Sequence, residues 1–248
     1  MTSLVVFVLI LAGTTLVTFA REMAAKRELA EDSKDVIKRG VGVIATLAAL
    51  VLGLMVASAK SSYDTQDSRI TLLTANVILL DRLLDQYGPG TRPAREALRA
   101  QIPLMVDRIW RESSSETAQA EPFAANARAE ALFYQIQSLA PQNDSQRSIQ
   151  SRAIQIVTDI AQTRFLLFAQ SNSSIPLPFL VVLVFWLTVV FASFSLFARP
   201  NAVVVAVIGL CALSISGSIF LILDLDQPFI GLMAIPKTPL LNALAPLG

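Results

Sequence analysis

Residues 41–59 read VGVIATLAALVLGLMVASA, and residues 60–87 follow without a breaker as KSSYDTQDSRITLLTANVILLDRLLDQY. The first stretch holds no Lys, Arg, Asp or Glu. As a helix it extends roughly 28 Å, close to the ~30 Å hydrocarbon core of a bilayer. The second stretch is amphipathic. Ile70, Leu73, Val77, Leu80, Leu84 and Tyr87 recur at alternating steps of three and four, the seam of a helix that packs on a neighbour. Carried backwards, the same register passes through Tyr63, Ala59, Val56, Leu52, Ala49, Ala45 and Gly42. The pattern predicts one helix of about 45 residues that leaves a membrane and enters water on a single stripe. Its membrane part is rich in small residues, which let helix backbones approach closely in lipid. Gly42, Ala45, Ala49, Leu52, Val56 and Ala59 therefore form the expected pore-lining or helix-contact stripe.

Three further segments lack charge: residues 3–20, 175–198 and 202–223. Over the whole chain of 248 residues, 54% are hydrophobic and 16% charged, where a soluble domain carries nearer a quarter charged. Two consecutive uncharged runs near the C-terminus would need a much larger soluble protein to cover them. The expectation is an all-α integral membrane protein with four transmembrane helices. For residues 3–20 the competing reading is a cleaved signal peptide; no basic residue precedes the run and the cations all follow it, which favours a retained anchor. Residues 1–59 thus make spans one and two with a charged linker at 21–39. Residues 60–174 make a helical extramembrane region, and residues 175–248 make spans three and four with an apolar tail.

Gly88-Pro89-Gly90 ends the long helix, because Pro cannot continue it and Gly permits a positive φ. A second helix is expected from Thr91 to Glu112 with Ala94, Leu98, Met105 and Ile109 on one face and a kink at Pro103. After a loop at 113–121, Pro122 opens a third helix with Phe123, Ala127, Phe133, Ile136 and Leu139 inward. Asn143 or Asp144 caps a fourth, Ser145 to Gln170, with Ile149, Ala153, Ile156, Ile160 and Leu167 inward. Arg199-Pro200-Asn201 is a tight turn that makes spans three and four a hairpin.

Several chemistries are excluded. Histidine is absent, which removes the commonest general base and metal ligand. The single Cys211 allows no internal disulfide. No phosphate loop or nucleophile elbow occurs, and a net charge of +1 gives no reason to expect nucleic acid. Asp224 and Asp226, at the end of span four, sit at the negative end of a helix dipole and call for a nearby cation, Arg82 or Arg199. Two acids alone make a poor metal site, since calcium takes six to eight oxygens, so no metal and no cofactor are expected. The span interiors hold no ionisable group, so a pore would be lined by small and apolar residues or by backbone and hydroxyl dipoles.

The segments Val43–Leu47 and Leu50–Leu54, then Leu80-Asp81-Arg82 with Tyr87-Gly88-Pro89, then Leu225-Asp226-Gln227-Pro228-Phe229-Ile230-Gly231, resemble the bacterial bestrophin-like domain family, itself similar to bestrophin anion channels. The likeness covers nearly the whole chain. It marks Asp81, Arg82, Tyr87, Gly88, Pro89, Asp224, Asp226, Pro228, Phe229 and Gly231 as family-motif structural residues. It implies a homo-oligomer, a pentamer in bestrophins, in a bacterial inner membrane, with the lipid bilayer and small anions as partners. Residues 41–59 lack the aromatic constriction of bestrophins, and no acid follows Gly231, so neither that gate nor calcium activation carries over. On orientation the two lines part. Seven Lys/Arg lie in the 21–39 linker and the 199–201 turn, against Lys60, Arg69, Arg164 and Lys237 on the other side. The charge rule puts the linker in the cytoplasm and the helical region outside, whereas the resemblance puts that region inside. The competing readings are a channel lined by span two, a non-conducting scaffold or sensor that presents its helical region to a protein partner, and an intramembrane enzyme with only Asp224 and Asp226 as a foothold.

Overall fold

The computed structural model describes residues 31–112, 122–169, 177–197 and 201–244. Span one at 3–20, the first part of the 21–39 linker, the loop at 113–121, Ile175-Pro176 and the Arg199-Pro200 part of the turn lie outside these residues. All regular structure among the described residues is helical. The elements are α1 (Glu31–Tyr87), a 3-10 turn (Pro89–Thr91), α2 (Arg92–Glu112), α3 (Pro122–Gln137), α4 (Asp144–Ala169), α5 (Leu177–Phe197), α6 (Ala202–Leu225) and the short α7 (Thr238–Leu241). At least two of them, α1 and α6, are long and apolar enough to cross a membrane.

At 57 residues, α1 exceeds the expected length. The helix begins within the charged linker, where the exposed pair Lys38–Asp35, 3.8 Å apart, has the i,i+3 spacing that supports a solvated helix. Gly40 and Gly42 do not break it, each standing in open space.

The chain divides into two compact units, residues 1–62 with 174–226, and residues 63–173 with 227–248. In the second, the expected seam is the core: Leu73, Val77 and Leu80 are 0% exposed, with Ile70, Leu84 and Tyr87 also buried. Against them lie Ala94, Leu98, Ile102, Met105, Val106 and Ile109 of α2, Leu132 and Ile136 of α3, and Ala153, Ile156, Ile160 and Leu167 of α4. Phe133, Leu139 and Ile149 are half-buried, and the side chains of Phe123 and Ala127 lie outside the description. Pro103 stands on the exposed side of α2, where a missing backbone donor is cheapest.

Polar side chains close the helix ends. Asn143 Oδ1 accepts from the Gln146 backbone N–H at 2.8 Å and so caps α4. Gln150 donates to the carbonyls of Ile136 (3.0 Å) and Leu139 (2.9 Å) at the end of α3. Arg69 donates to the Leu166 carbonyl (3.2 Å) in the last turn of α4, where a cation meets the negative end of the dipole.

Candidate functional site

The site to be judged is the membrane part of α1, and its burial defines which way each residue faces. Ala48, Met55 and Ala59 are buried, with Ala45 and Leu52 half-buried beside them. On a helix turning ~100° per residue these lie in line with Leu73, Leu80 and Leu84 further along. Of the stripe expected from sequence, Ala59 is thus inside the subunit and Ala45 and Leu52 are at its margin. Gly42, Ala49 and Val56 are exposed. The expected stripe thus runs along the margin between the packed side of α1 and its exposed side.

The face opposite the packed line carries Thr46, Gly53 and Ala57, all exposed. The Thr46 hydroxyl donates to the Val43 carbonyl at 2.8 Å, so that face is uncharged and its hydroxyl is satisfied by backbone. A third flank carries Val43, Leu47, Leu50 and Leu54, large and between 46 and 62% exposed. Helix α1 therefore offers three surfaces: one packed in its own subunit, one small, and one aliphatic.

Within the first unit, α1, α5 and α6 enclose an apolar groove of about 820 Å³, lined by Ala45, Ala48 and Ala49, by Leu187 and Phe191, and by Cys211 among others. The groove is open on one side, so in a bilayer lipid tails or another apolar helix would cover it. Trp186 of α5 and the small residues Gly209, Ser214, Ser216, Gly217 and Ser218 of α6 sit in the same unit, and Ser214 and Ser218 return their hydroxyls to the Leu210 (2.9 Å) and Ser214 (3.1 Å) carbonyls.

The family-motif residues fall into two clusters. At the end of α1, Gly88 has φ 119° and ψ −171°, a positive-φ extended conformation that glycine adopts without strain. Buried Thr91 shares its hydroxyl between the carbonyls of Gly88 (2.8 Å) and Leu84, and Gln146 donates to the Tyr87 carbonyl at 3.0 Å. Together they satisfy carbonyls that the end of the helix leaves open. Asp81 does not pair with its neighbour Arg82, which is exposed. Its two oxygens take the Arg95 guanidinium in a fork, Nε at 2.9 Å and Nη2 at 3.0 Å. Asp85 holds the third Arg95 nitrogen, and Arg99 stands 3.9 Å from Asp81. The Asp81 hydrogen bond, aided by the charges of Asp81 and Asp85 against partial desolvation, holds Arg95 above its ordinary pKa. Sequence reading missed Arg95 and Arg99. The signal was present, since a tight turn at 88–90 brings Asp81 and Asp85, one turn apart on α1, opposite arginines one turn apart on α2.

The second cluster is the tail. Asp224 and Asp226 are half-buried at the end of α6, and Asp226 N–H closes the helix on the Ile222 carbonyl at 3.1 Å. Of the two cations expected to serve them, Arg199 lies outside the described residues. Phe229 is buried edge-on against Trp110, ring centroids 5.2 Å apart. Trp110 Nε1 donates to the Ile235 carbonyl (3.1 Å), and Ile235 N–H to the Pro228 carbonyl (2.8 Å). Gly231, φ 117°, makes the bend between them. The tail packs on the helices of the second unit: Phe229, Ile235 and Leu240 belong to their core. Among the described residues no group of acids or Cys has the density of a metal site.

Comparison with known proteins adds the following. A family model described as Bestrophin-like domain matches residues 6–240. No curated protein matches by sequence. Among solved structures, a bacterial bestrophin homologue from Klebsiella pneumoniae with an isoleucine-to-threonine mutation aligns over 98% of this chain and 96% of its own, at TM-score 0.67 and 12% identity. The same homologue with a leucine-to-threonine mutation aligns over the same shares at TM-score 0.69 and 12% identity. A structure described as a membrane protein, with a proline-to-alanine change, covers 97% and 95% at TM-score 0.67 and 12% identity. At such identity these likenesses concern the fold alone.

Proposed function

The chain belongs to the bestrophin-like domain family, a family of channels and not of enzymes, and from that membership we propose that it is a homo-oligomeric membrane channel. Its subunits set the small face of α1 about a shared axis, as a pentamer if the assembly follows bestrophins. Residues 3–20, the uncharged part of α1, α5 and α6 are the four spans, and the helical region stands in water between the second and third. The location is a bacterial inner membrane.

One observation carries this reading. The packed line of α1 runs from Ala48 to Tyr87, and the face opposite it in the uncharged part, Thr46, Gly53 and Ala57 with Gly42, Ala49 and Val56 at its edge, is left unpacked by its own subunit. Lipid does not require small residues, whereas close helix approach or a narrow water path does. The lining has no charge, so selection rests on hydroxyl and backbone dipoles and on charges outside the spans. Small anions are the permeant class supported by the family likeness.

The test is current through protein reconstituted in planar bilayers under a salt gradient. A reversal potential displaced toward the chloride equilibrium supports an anion channel; a displacement toward the cation equilibrium removes the anion assignment and keeps the channel. Silence from well-folded oligomers across pH and voltage overturns both.

A second reading, a scaffold or sensor, has one observation in its favour: Tyr134 and Phe165 on the helical unit are 62 and 70% exposed. Large exposed aromatics are a usual mark of a protein-binding surface. Mass measurement in detergent separates the readings, since a monomer has too few helices to enclose a pore.

A further inference from the structure

We propose that the bend Ile230–Ala234, between α6 and α7, is an interfacial wedge whose apolar tip sits in the lipid boundary of the leaflet that α6 leaves. The inference rests on α6 being a span and not on conduction. The apolar side chains of the tail divide into two sets. Phe229, Ile235 and Leu240 turn inward and are 7, 2 and 0% exposed. Ile230, Leu232 and Met233 are 37, 83 and 46% exposed, with Gly231 and Ala234 also exposed between and beside them. Leu232 is the most exposed large apolar side chain among the described residues, ahead of every one on α5 and α6. Single exposed apolar residues are ordinary on a protein surface, whereas a consecutive apolar run on one bend marks a contact.

The bend is held from its base. Ile230 N–H donates to the Gln227 carbonyl at 3.1 Å, and Ile235 N–H to the Pro228 carbonyl at 2.8 Å. Trp110 Nε1 donates to the Ile235 carbonyl at 3.1 Å, which ties the base to α2. So stapled, the chain keeps Leu232 and Met233 out of the core that Phe229 and Ile235 enter. Connectivity sets the level. Pro228 follows Leu225, the last residue of α6, within ~10 Å even along an extended chain. No charge occurs from Gln227 to Pro236, and Lys237 comes next, a cation whose stem can lie along lipid with its ammonium among phosphates. Such a tip suits the headgroup–acyl boundary, where surface-bound segments bury their apolar face ~5–10 Å deep. A second copy suits it less, because three side chains offer at most a few hundred Å², against ~800 Å² per partner in a stable interface.

The test labels Leu232→Cys and Met233→Cys with bimane, each in a Cys211→Ser background of the full-length protein, in vesicles of phosphatidylcholine and phosphatidylglycerol. Ser145→Cys is the aqueous reference, since its neighbour Gln146 donates to the Tyr87 carbonyl and Tyr87 stands ~42 Å along α1 from Ala59. A lipid nitroxide near the top of the acyl chain is expected to quench the labels on the bend at least threefold more than the reference, and aqueous iodide to do the reverse. Two results overturn the proposal in protein that stays in the membrane after alkaline carbonate, and both leave the α6 span standing. Iodide quenching equal to that of the reference puts the tip in water. Protection from both quenchers assigns the tip to protein, and to a second copy where Leu232→Cys forms a disulfide between subunits. Extraction of the protein by carbonate instead removes the span, and the proposal with it.

Discussion

The two halves of α1 share one packed line and treat it differently. Beyond Tyr63 the line is built of Ile70, Leu73, Val77, Leu80 and Leu84, large side chains whose removal from water drives the packing. Before Ser62 it is built of Ala48, Met55 and Ala59, because in lipid there is little hydrophobic gain in burying a side chain and close approach supplies the contact. The opposite faces differ in the same sense. In the water half that side carries Lys60, Asp64, Thr71 and Arg82; in the membrane half it carries Thr46, Gly53 and Ala57. On the proposed reading one helix meets two solvents with one register, and side-chain size and charge change along it.

The largest effect should come from shortening the line where water drives it. Leu80→Ala is expected to destabilise by about 3–5 kcal/mol, read as a lowered thermal midpoint in detergent. Leu50→Ala, on the exposed flank of the membrane half, should stay within about 0.5 kcal/mol, and a comparable loss at both positions would dissolve the contrast. Next is the fork that ties α1 to α2. Asp81→Ala leaves a largely buried guanidinium with Asp85 as its remaining close carboxylate and should cost about 1–3 kcal/mol by the same measurement. Trp110→Phe keeps an aromatic ring against Phe229 and removes only the bond to the Ile235 carbonyl; about 1 kcal/mol is expected, with faster proteolysis of the tail. Gly88→Ala, whose added methyl meets nothing, should cost at least about 1 kcal/mol from the positive-φ extended backbone alone. Smallest of all in stability is Gly53→Leu, which meets open space inside the subunit. It should leave the midpoint unchanged and reduce conductance severalfold.

The water half was legible because its periodicity has contrast. Steps of three and four between large apolar residues named the buried line from Ile70 to Tyr87, and Gly88-Pro89-Gly90 named the stop. The membrane half was less so. Every residue there is apolar or small, so spacing alone does not separate buried Ala48, Met55 and Ala59 from exposed Gly42, Ala49 and Val56. Arg95 escaped because its partner Asp81 lies 14 residues away across the turn at Gly88-Pro89-Gly90, where no local spacing links them. The tail was read as apolar and no more; Trp110 holds it by offering a ring to Phe229 and a donor to the Ile235 carbonyl.

The account stands on the small face of α1 meeting water in the assembled protein. Single cysteines from Gly42 to Ala59 in a Cys211→Ser background, reacted with a charged thiosulfonate during current recording, test this directly. The account predicts block with helical period, strong at Thr46, Gly53 and Ala57 and absent at Ala48, Met55 and Ala59. Uniform protection of every position from the aqueous reagent, in protein that still conducts, would contradict it.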